Sequence, residues 1–305
     1  MKSLEIPEVL FVGNGINRSF GESGWSDVIS GLSTGEFDEN NKILKQIEKI
    51  PFGLQTIILS SDSVSDGMDM LSKKLMPKEL KREQVTLTKK LVSIPFDAIL
   101  TPNYSYEIET SIDPKFHLKQ GCASKYRKKT CDGNAPQEQF GIYKYMSVSD
   151  KMIWHIHGEA ARPSSMVMGH YYYGKLLVEI QKRIPDLIRE YKTALKTGRA
   201  MKYKSWIDYF LIGNLYIIGF GMDVSEMDFW WLVNCKKRNF SDAGSIRVFE
   251  PGLGCAEKYP IKALCDTFGI LYDEEDIGKY GSYRDYFERK IDAMEEIVTH
   301  SGAAD

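Results

Sequence analysis

The chain has 305 residues, 43% of them hydrophobic and 27% charged, with a formal net charge of -2. That length supports a substantial buried core. The balance excludes a low-complexity or disordered chain, and it gives no global electrostatic pull toward nucleic acid or anionic lipid. The five cysteines, Cys122, Cys131, Cys235, Cys255 and Cys265, are odd in number and form no Cys-x-x-Cys pair. A disulfide framework and a four-cysteine zinc site are therefore not expected.

In chain order, the first element is an apolar run, Val9 to Val12, ending in Gly13-Asn14-Gly15-Ile16-Asn17. A buried strand that turns sharply into a helix reads this way, and glycines there let backbone N–H groups approach a phosphate. No glycine follows three residues after Gly15, so the dinucleotide fingerprint is incomplete. Ile43 to Ile50 and Val64 to Val92 carry apolar residues at three- and four-residue spacing, as in Met68, Leu71 and Leu75, predicting helices with a break at Pro77. Ala98–Leu100 is a second strand, closed by Thr101-Pro102-Asn103-Tyr104. The stretch from Ser111 to Ala135 concentrates Lys119, Lys125, Arg127, Lys128 and Lys129, and reads as a solvated loop.

Met152–Trp154 is a third strand and leads into His155-Ile156-His157-Gly158. Alternate positions on a persisting strand share a face, so the two imidazoles could be joint metal ligands, although no third ligand is evident. Alternatively, His157 at the strand end is a base with a pKa suited to neutral pH, and His155 is a satisfied core residue. Leu176–Ile184 and Leu187–Leu195 are amphipathic. Leu215–Ile218 is a fourth strand, ending in Gly219-Phe220-Gly221 before Asp223, Ser225 and an apolar helix containing Met227, Phe229, Trp230, Trp231 and Val233. Ile246–Phe249 is a fifth, ending at Glu250-Pro251, and Gly269–Tyr272 is a short sixth. Tyr283 to Val298 predicts a final helix with Tyr283, Phe287, Ile291, Met294 and Val298 inward.

Strands apolar at nearly every position are buried on both faces, which predicts an α/β fold: a Rossmann-like three-layer parallel sheet covered by helices. One domain over 1–305 is expected, with a helical insertion at roughly 25–95 and loop or helix insertions at roughly 110–150 and 172–208. Functional groups should sit at the carboxyl ends of the strands. Asn103 can fix a sugar hydroxyl or a water, and Glu250 can bind a ribose diol. A dehydrogenase would need an acid ending a second strand about 20 residues after the glycine turn. Glu36 and Asp38 lie near there, but Gly31 to Gly35 does not read as a strand, which argues against hydride transfer.

Taken in order, the motifs at Gly13–Asn17, Thr101–Tyr104, His157-Gly158, Gly219–Gly221 and Phe249–Pro251 resemble the sirtuin-like superfamily. The similarity is to its bacterial branch, whose effectors, as in Thoeris systems, act in anti-phage defence by depleting NAD. The resemblance implies an NAD hydrolase that cleaves the nicotinamide–ribose bond, with Asn103 and His157 as the catalytic pair. Gly13, Asn14, Gly15 and Gly219 would hold the dinucleotide, joined by Ile16, Asn17, Thr101, Phe220, Gly221, Asp223 and Glu250 from the same motifs. It implies NAD as substrate and no further cofactor. The paired-cysteine zinc module of the protein deacylases is missing, which argues against deacylation, and Ser105 stands where an aspartate is common. A homo-oligomer or a defence complex is the expected assembly, in a cytoplasmic protein with no membrane or nucleic-acid partner. The alternatives are a nucleotide-binding sensor or subunit that cleaves nothing and, a distant third, a redox enzyme.

Overall fold

The computed structural model describes residues 4–22, 24, 50–59, 71–76, 79–116, 127–129, 140–252, 258–273 and 275–301. The expected helix Ile43 to Ile50 lies almost wholly outside these residues, as do most of the basic stretch 111–135 and the link at Pro77. Residues 71–75 and 82–93, on either side of that proline, are helical.

The strands are β1 (Glu8–Val12), β2 (Ala98–Thr101), β3 (Arg127–Lys129), β4 (Lys144–Val148), β5 (Lys151–His155), β6 (Asn214–Ile218), β7 (Ile246–Phe249) and β8 (Leu271–Tyr272). They form one sheet in the order β3-β4-β5-β2-β1-β6-β7-β8. The pairings β5-β2-β1-β6-β7-β8 are all parallel. Numbered by their own chain order, those strands run third, second, first, fourth, fifth, sixth, which is the Rossmann order. Strand order reverses between β1 and β6, held in register from Glu8 opposite Asn214 to Val12 opposite Ile218. A crevice opens beyond the carboxyl ends of strands at such a reversal.

The helices are α1 (Gly15–Arg18), α2 (Phe52–Leu59), α3 (Arg82–Ser93), α4 (Glu107–Ile112), α5 (Gly169–Thr197), α6 (Trp206–Ile212), α7 (Met227–Asn239), α8 (Tyr259–Phe268) and α9 (Tyr283–Ser301). Alternation along the strands divides the core in two. Val9, Phe11, Leu100, Leu215 and Ile217 pack with α5, α6 and α7 through Leu176, Ile180, Phe210, Phe229 and Leu232. Leu10, Val12, Ile99 and Ile218 pack on the other face with α3, α4 and α9 through Leu87, Leu91, Ile108, Ile291 and Met294. Both faces of the sheet are covered, so its inner strands are apolar at nearly every central position, as in Val9–Val12 and Leu215–Ile218.

Three elements differ from expectation. Residues 110–150, expected as loop and helix, hold β3 and β4, which pair antiparallel at one edge of the otherwise parallel sheet. The two amphipathic stretches before and after Pro185 form one 29-residue helix, α5, with the proline inside it. Leu176, Ile180, Ile184, Leu187, Tyr191 and Ala194 stay buried along its length. Their packing outweighs the roughly 3 kcal/mol an interior proline costs. Tyr283, expected inward, is 54% exposed, while Phe287, Ile291, Met294 and Val298 are buried.

At the reversal point the turns after β1 and β6 interlock. The Gly13 N–H donates to Ile218 O at 3.0 Å and the Gly15 N–H to Gly219 O at 2.7 Å. A Cβ at Gly13 would lie 2.5 Å from Gly219 O, and one at Gly15 2.8 Å from Gly219 Cα. Both obstacles are backbone, with no flexible side chain to yield. Gly13→Ala is therefore expected to lower stability by about 1–3 kcal/mol, the usual range for overpacking, measured by urea unfolding. An unchanged midpoint would contradict this contact.

Candidate functional site

The crevice is a cavity of about 950 Å³ lined by Asn14, Gly15, Arg18, Pro102, Asn103, Tyr104, Ser105, His157, Gly219, Phe220, Gly221, Asp223 and Glu250 from the strand ends. The wall opposite the sheet edge comes from Gly53, Leu71, Lys74 and Leu75 and from His170 and Tyr173 of α5. This volume lies within the range of cofactor and small-molecule pockets. Asn103 and His157 thus line the same cavity.

The two histidines part company. β5 ends at His155 and the chain turns at 156–157, so strand alternation does not continue to His157. His155 faces α4: its Nε2 is 2.8 Å from Glu109 Oε1 and its Nδ1 2.6 Å from the carbonyl of Asn103. His157 faces α7, with Nε2 2.8 Å from Asp228 Oδ2. Both aspartate and histidine are nearly inaccessible, Asp228 at 1% and His157 at 5% exposure. Because a carboxylate oxygen accepts, Nε2 carries the hydrogen, and Nδ1 of a neutral His157 keeps its lone pair. Burial works against a charge on this ring, but the Asp228 carboxylate, by charge and hydrogen bond and with help from Glu226, holds it above its ordinary value.

Gly158 makes this placement possible. Its φ is +86°, and a Cβ there would sit 2.1 Å from Ser165 O. The chain folds back so closely that the Val167 N–H donates to the His157 carbonyl at 2.8 Å. On the far side of the cavity, Met222 is fully buried at a φ of +49°, a region rarely occupied by a residue with a side chain. It holds the Gly219–Asp223 turn against the crevice.

Glu226 lines the cavity next to His157 and accepts from Tyr173 Oη at 3.3 Å. Burial pushes its pKa up to about 7; His157 opposes the rise, and Asp228 and Asp223 add to it. His157, Glu226 and Asp228 bring one donor atom each to within 4.8 Å of one another, a nitrogen-and-carboxylate set of the kind that holds first-row divalent cations. His155 is not among these three residues, so the set joins one histidine to two carboxylates and does not unite the two imidazoles of the sequence pattern. Glu250 is raised by burial, against the pull of Lys258, whose Nζ lies 2.6 Å from Glu250 Oε1.

Four candidate contacts support the cavity instead of lining it, among the described residues. Gly13 is spent on the interlock with β6, so its N–H and that of Gly15 are not phosphate donors. Ile16 is 2% exposed in the core beneath α1. Asn17 donates from Nδ2 to Asn14 Oδ1 at 3.0 Å and accepts from Gln84 Nε2 at 3.2 Å. Thr101 Oγ1 donates to Val12 O at 2.8 Å and accepts from the Asn103 N–H at 3.2 Å. Cationic groups at the cavity come instead from Arg18 and Lys74, neither singled out by any motif.

Compared with known proteins, the chain matches no family model, and no curated protein matches it.

The His157–Asp228 pair has a pH signature. Folding raises the affinity of His157 for a proton, so the pair's contribution is complete below the ordinary imidazole value of 6.5 and fades as pH climbs through the raised value. The loss of melting temperature in Asp228→Asn should accordingly be larger at pH 6 than at pH 9. A loss independent of pH would contradict the assignment.

Proposed function

We propose that the protein is a sirtuin-like NAD⁺ hydrolase that cleaves the nicotinamide–ribose bond. The observation that carries this reading is that Asn103 and His157, from the ends of β2 and β5, line one cavity at the strand-order reversal of a Rossmann sheet. Dinucleotides bind at that point of such sheets. Arg18 and Lys74 provide positive charge for the diphosphate.

The chemistry follows from the charges. As the C1′–N bond breaks, its electron pair passes to the pyridinium nitrogen and nicotinamide leaves neutral, with positive charge developing on the ribose. Glu226 and the His157–Asp228 pair put electron-rich groups near that charge, in a buried setting where they act strongly. Asn103 orients the ribose or the attacking water, and a water oxygen forms the new bond to C1′. Nδ1 of His157 accepts the proton that this water gives up, while Asp228 keeps the ring in the matching tautomer. The products are nicotinamide and ADP-ribose. The biological role that goes with this activity is anti-phage defence by NAD depletion.

Purified protein incubated with NAD⁺ should release nicotinamide, followed by chromatography. A general base contributes about 10²–10⁴-fold, so His157→Ala and Asn103→Ala should each fall by about that order while remaining folded. Full activity in both variants would overturn the reading. A chelator should leave turnover unchanged, since every step above is carried by the protein's own groups; loss of activity restored by a divalent cation would move the site to metal-assisted hydrolysis.

A further inference from the structure

We propose that His155, bridging the Glu109 carboxyl group and the Asn103 carbonyl, is a positioning residue that fixes the backbone of Asn103 for reaction. The inference rests on the hydrolase reading above. A carbonyl oxygen only accepts, so the 2.6 Å contact with Asn103 O requires a hydrogen on Nδ1 of His155. The other ring nitrogen, Nε2, lies 2.8 Å from Glu109 Oε1, so the imidazole is held at both nitrogens, between a carboxyl group on α4 and the Asn103 carbonyl.

The pair cannot act on a ligand directly. Glu109 is 0% and His155 8% exposed, and neither lines the cavity. The Tyr106 ring, 5.2 Å from the imidazole and itself buried, helps close off this side. The outward product of the His155–Glu109 contact is the fixed Asn103 carbonyl. The other backbone group of Asn103 is fixed too, its N–H donating to Thr101 Oγ1, which is tied in turn to the end of β1. Asn103 is clamped on both peptide groups, and only its side chain remains to meet a substrate. Burying two polar side chains is costly unless their hydrogen bonds are made, and an apolar side chain could not hold that carbonyl.

Two readouts test this. Ring ¹⁵N NMR should show a hydrogen on Nδ1 of His155; a ring whose Nδ1 carries none would overturn the proposal. In nicotinamide-release kinetics, Glu109→Gln, which keeps shape and removes charge, should lower kcat with KM little changed. His155→Phe, which removes both bonds, should lower it further, by roughly 10–100-fold as for small misplacements of a reacting group. Glu109→Asp should recover part of the loss. If His155→Phe does not fold, Glu109→Gln decides: a folded variant with wild-type kcat overturns the proposal. If the wild-type protein releases no nicotinamide, the hydrolase reading falls by itself. Backbone ¹⁵N relaxation at Asn103 then judges the clamp, which predicts a rigid residue in wild type and a mobile one in Glu109→Gln.

Discussion

Where β1 and β6 lie side by side, their following turns must diverge to opposite faces of the sheet, yet their first residues press together. Gly13 and Gly15 meet Gly219 at distances that leave no space for a side chain, and two backbone hydrogen bonds tie the turns. This contact sets the floor of the crevice. Several groups at the site are placed relative to it: Asn103 through Thr101 bonded to Val12 O, and Phe220, Met222 and Asp223 as the continuation of the β6 turn. The glycines are needed for how closely two backbones approach, and the ligand space begins one residue further out, at Asn14.

Charge of both signs lines the cavity. Arg18 and Lys74 contribute positive charge, and Glu226, with Asp228 behind His157, contributes negative charge. Two imidazole–carboxylate pairs lie behind the strand ends, one on each face of the sheet. His157–Asp228 orients a ring that reaches the cavity, and His155–Glu109 holds the backbone of the residue beside it. Anchoring α7, which carries Asp228, is the buried Lys236 two turns further on. Its Nζ donates to Leu211 O and Gly213 O, both at 2.9 Å, at the end of α6, and burial lowers its pKa to about 7. Such a cation satisfies carbonyls that a helix end leaves without partners.

Much of the fold could be read from the amino-acid order, because strands buried on both faces leave a nearly continuous apolar signature. β1, β2, β5, β6 and β7 all show it, β7 with one interruption at Arg247. β4 does not: next to the outermost strand β3, its Lys144, Tyr145 and Ser147 are only partly buried, so Lys144–Val148 looks like loop. Leu176–Ile184 and Leu187–Leu195 read as two amphipathic stretches, whereas the continuous buried stripe that joins them across Pro185 in α5 is a tertiary fact. At the site, Asn103 and His157 stood out because each ends an apolar run. Glu109, Glu226 and Asp228 did not, since helix packing alone brings a surface-like acid on α4 or α7 behind a strand end. Gly13 was visible but its purpose was not, as the same dipeptide spacing serves a phosphate or a neighbouring strand.

The most direct measurement is a crystal structure of the His157→Ala protein with NAD⁺ bound. The account predicts intact dinucleotide in the crevice between the β1 and β6 turns. The ribose carbon that bears nicotinamide should lie beside the Asn103 amide and the space vacated by the imidazole, with the diphosphate toward Arg18 and Lys74. A dinucleotide bound elsewhere on the protein, or bound here with its nicotinamide end remote from position 157, would contradict it.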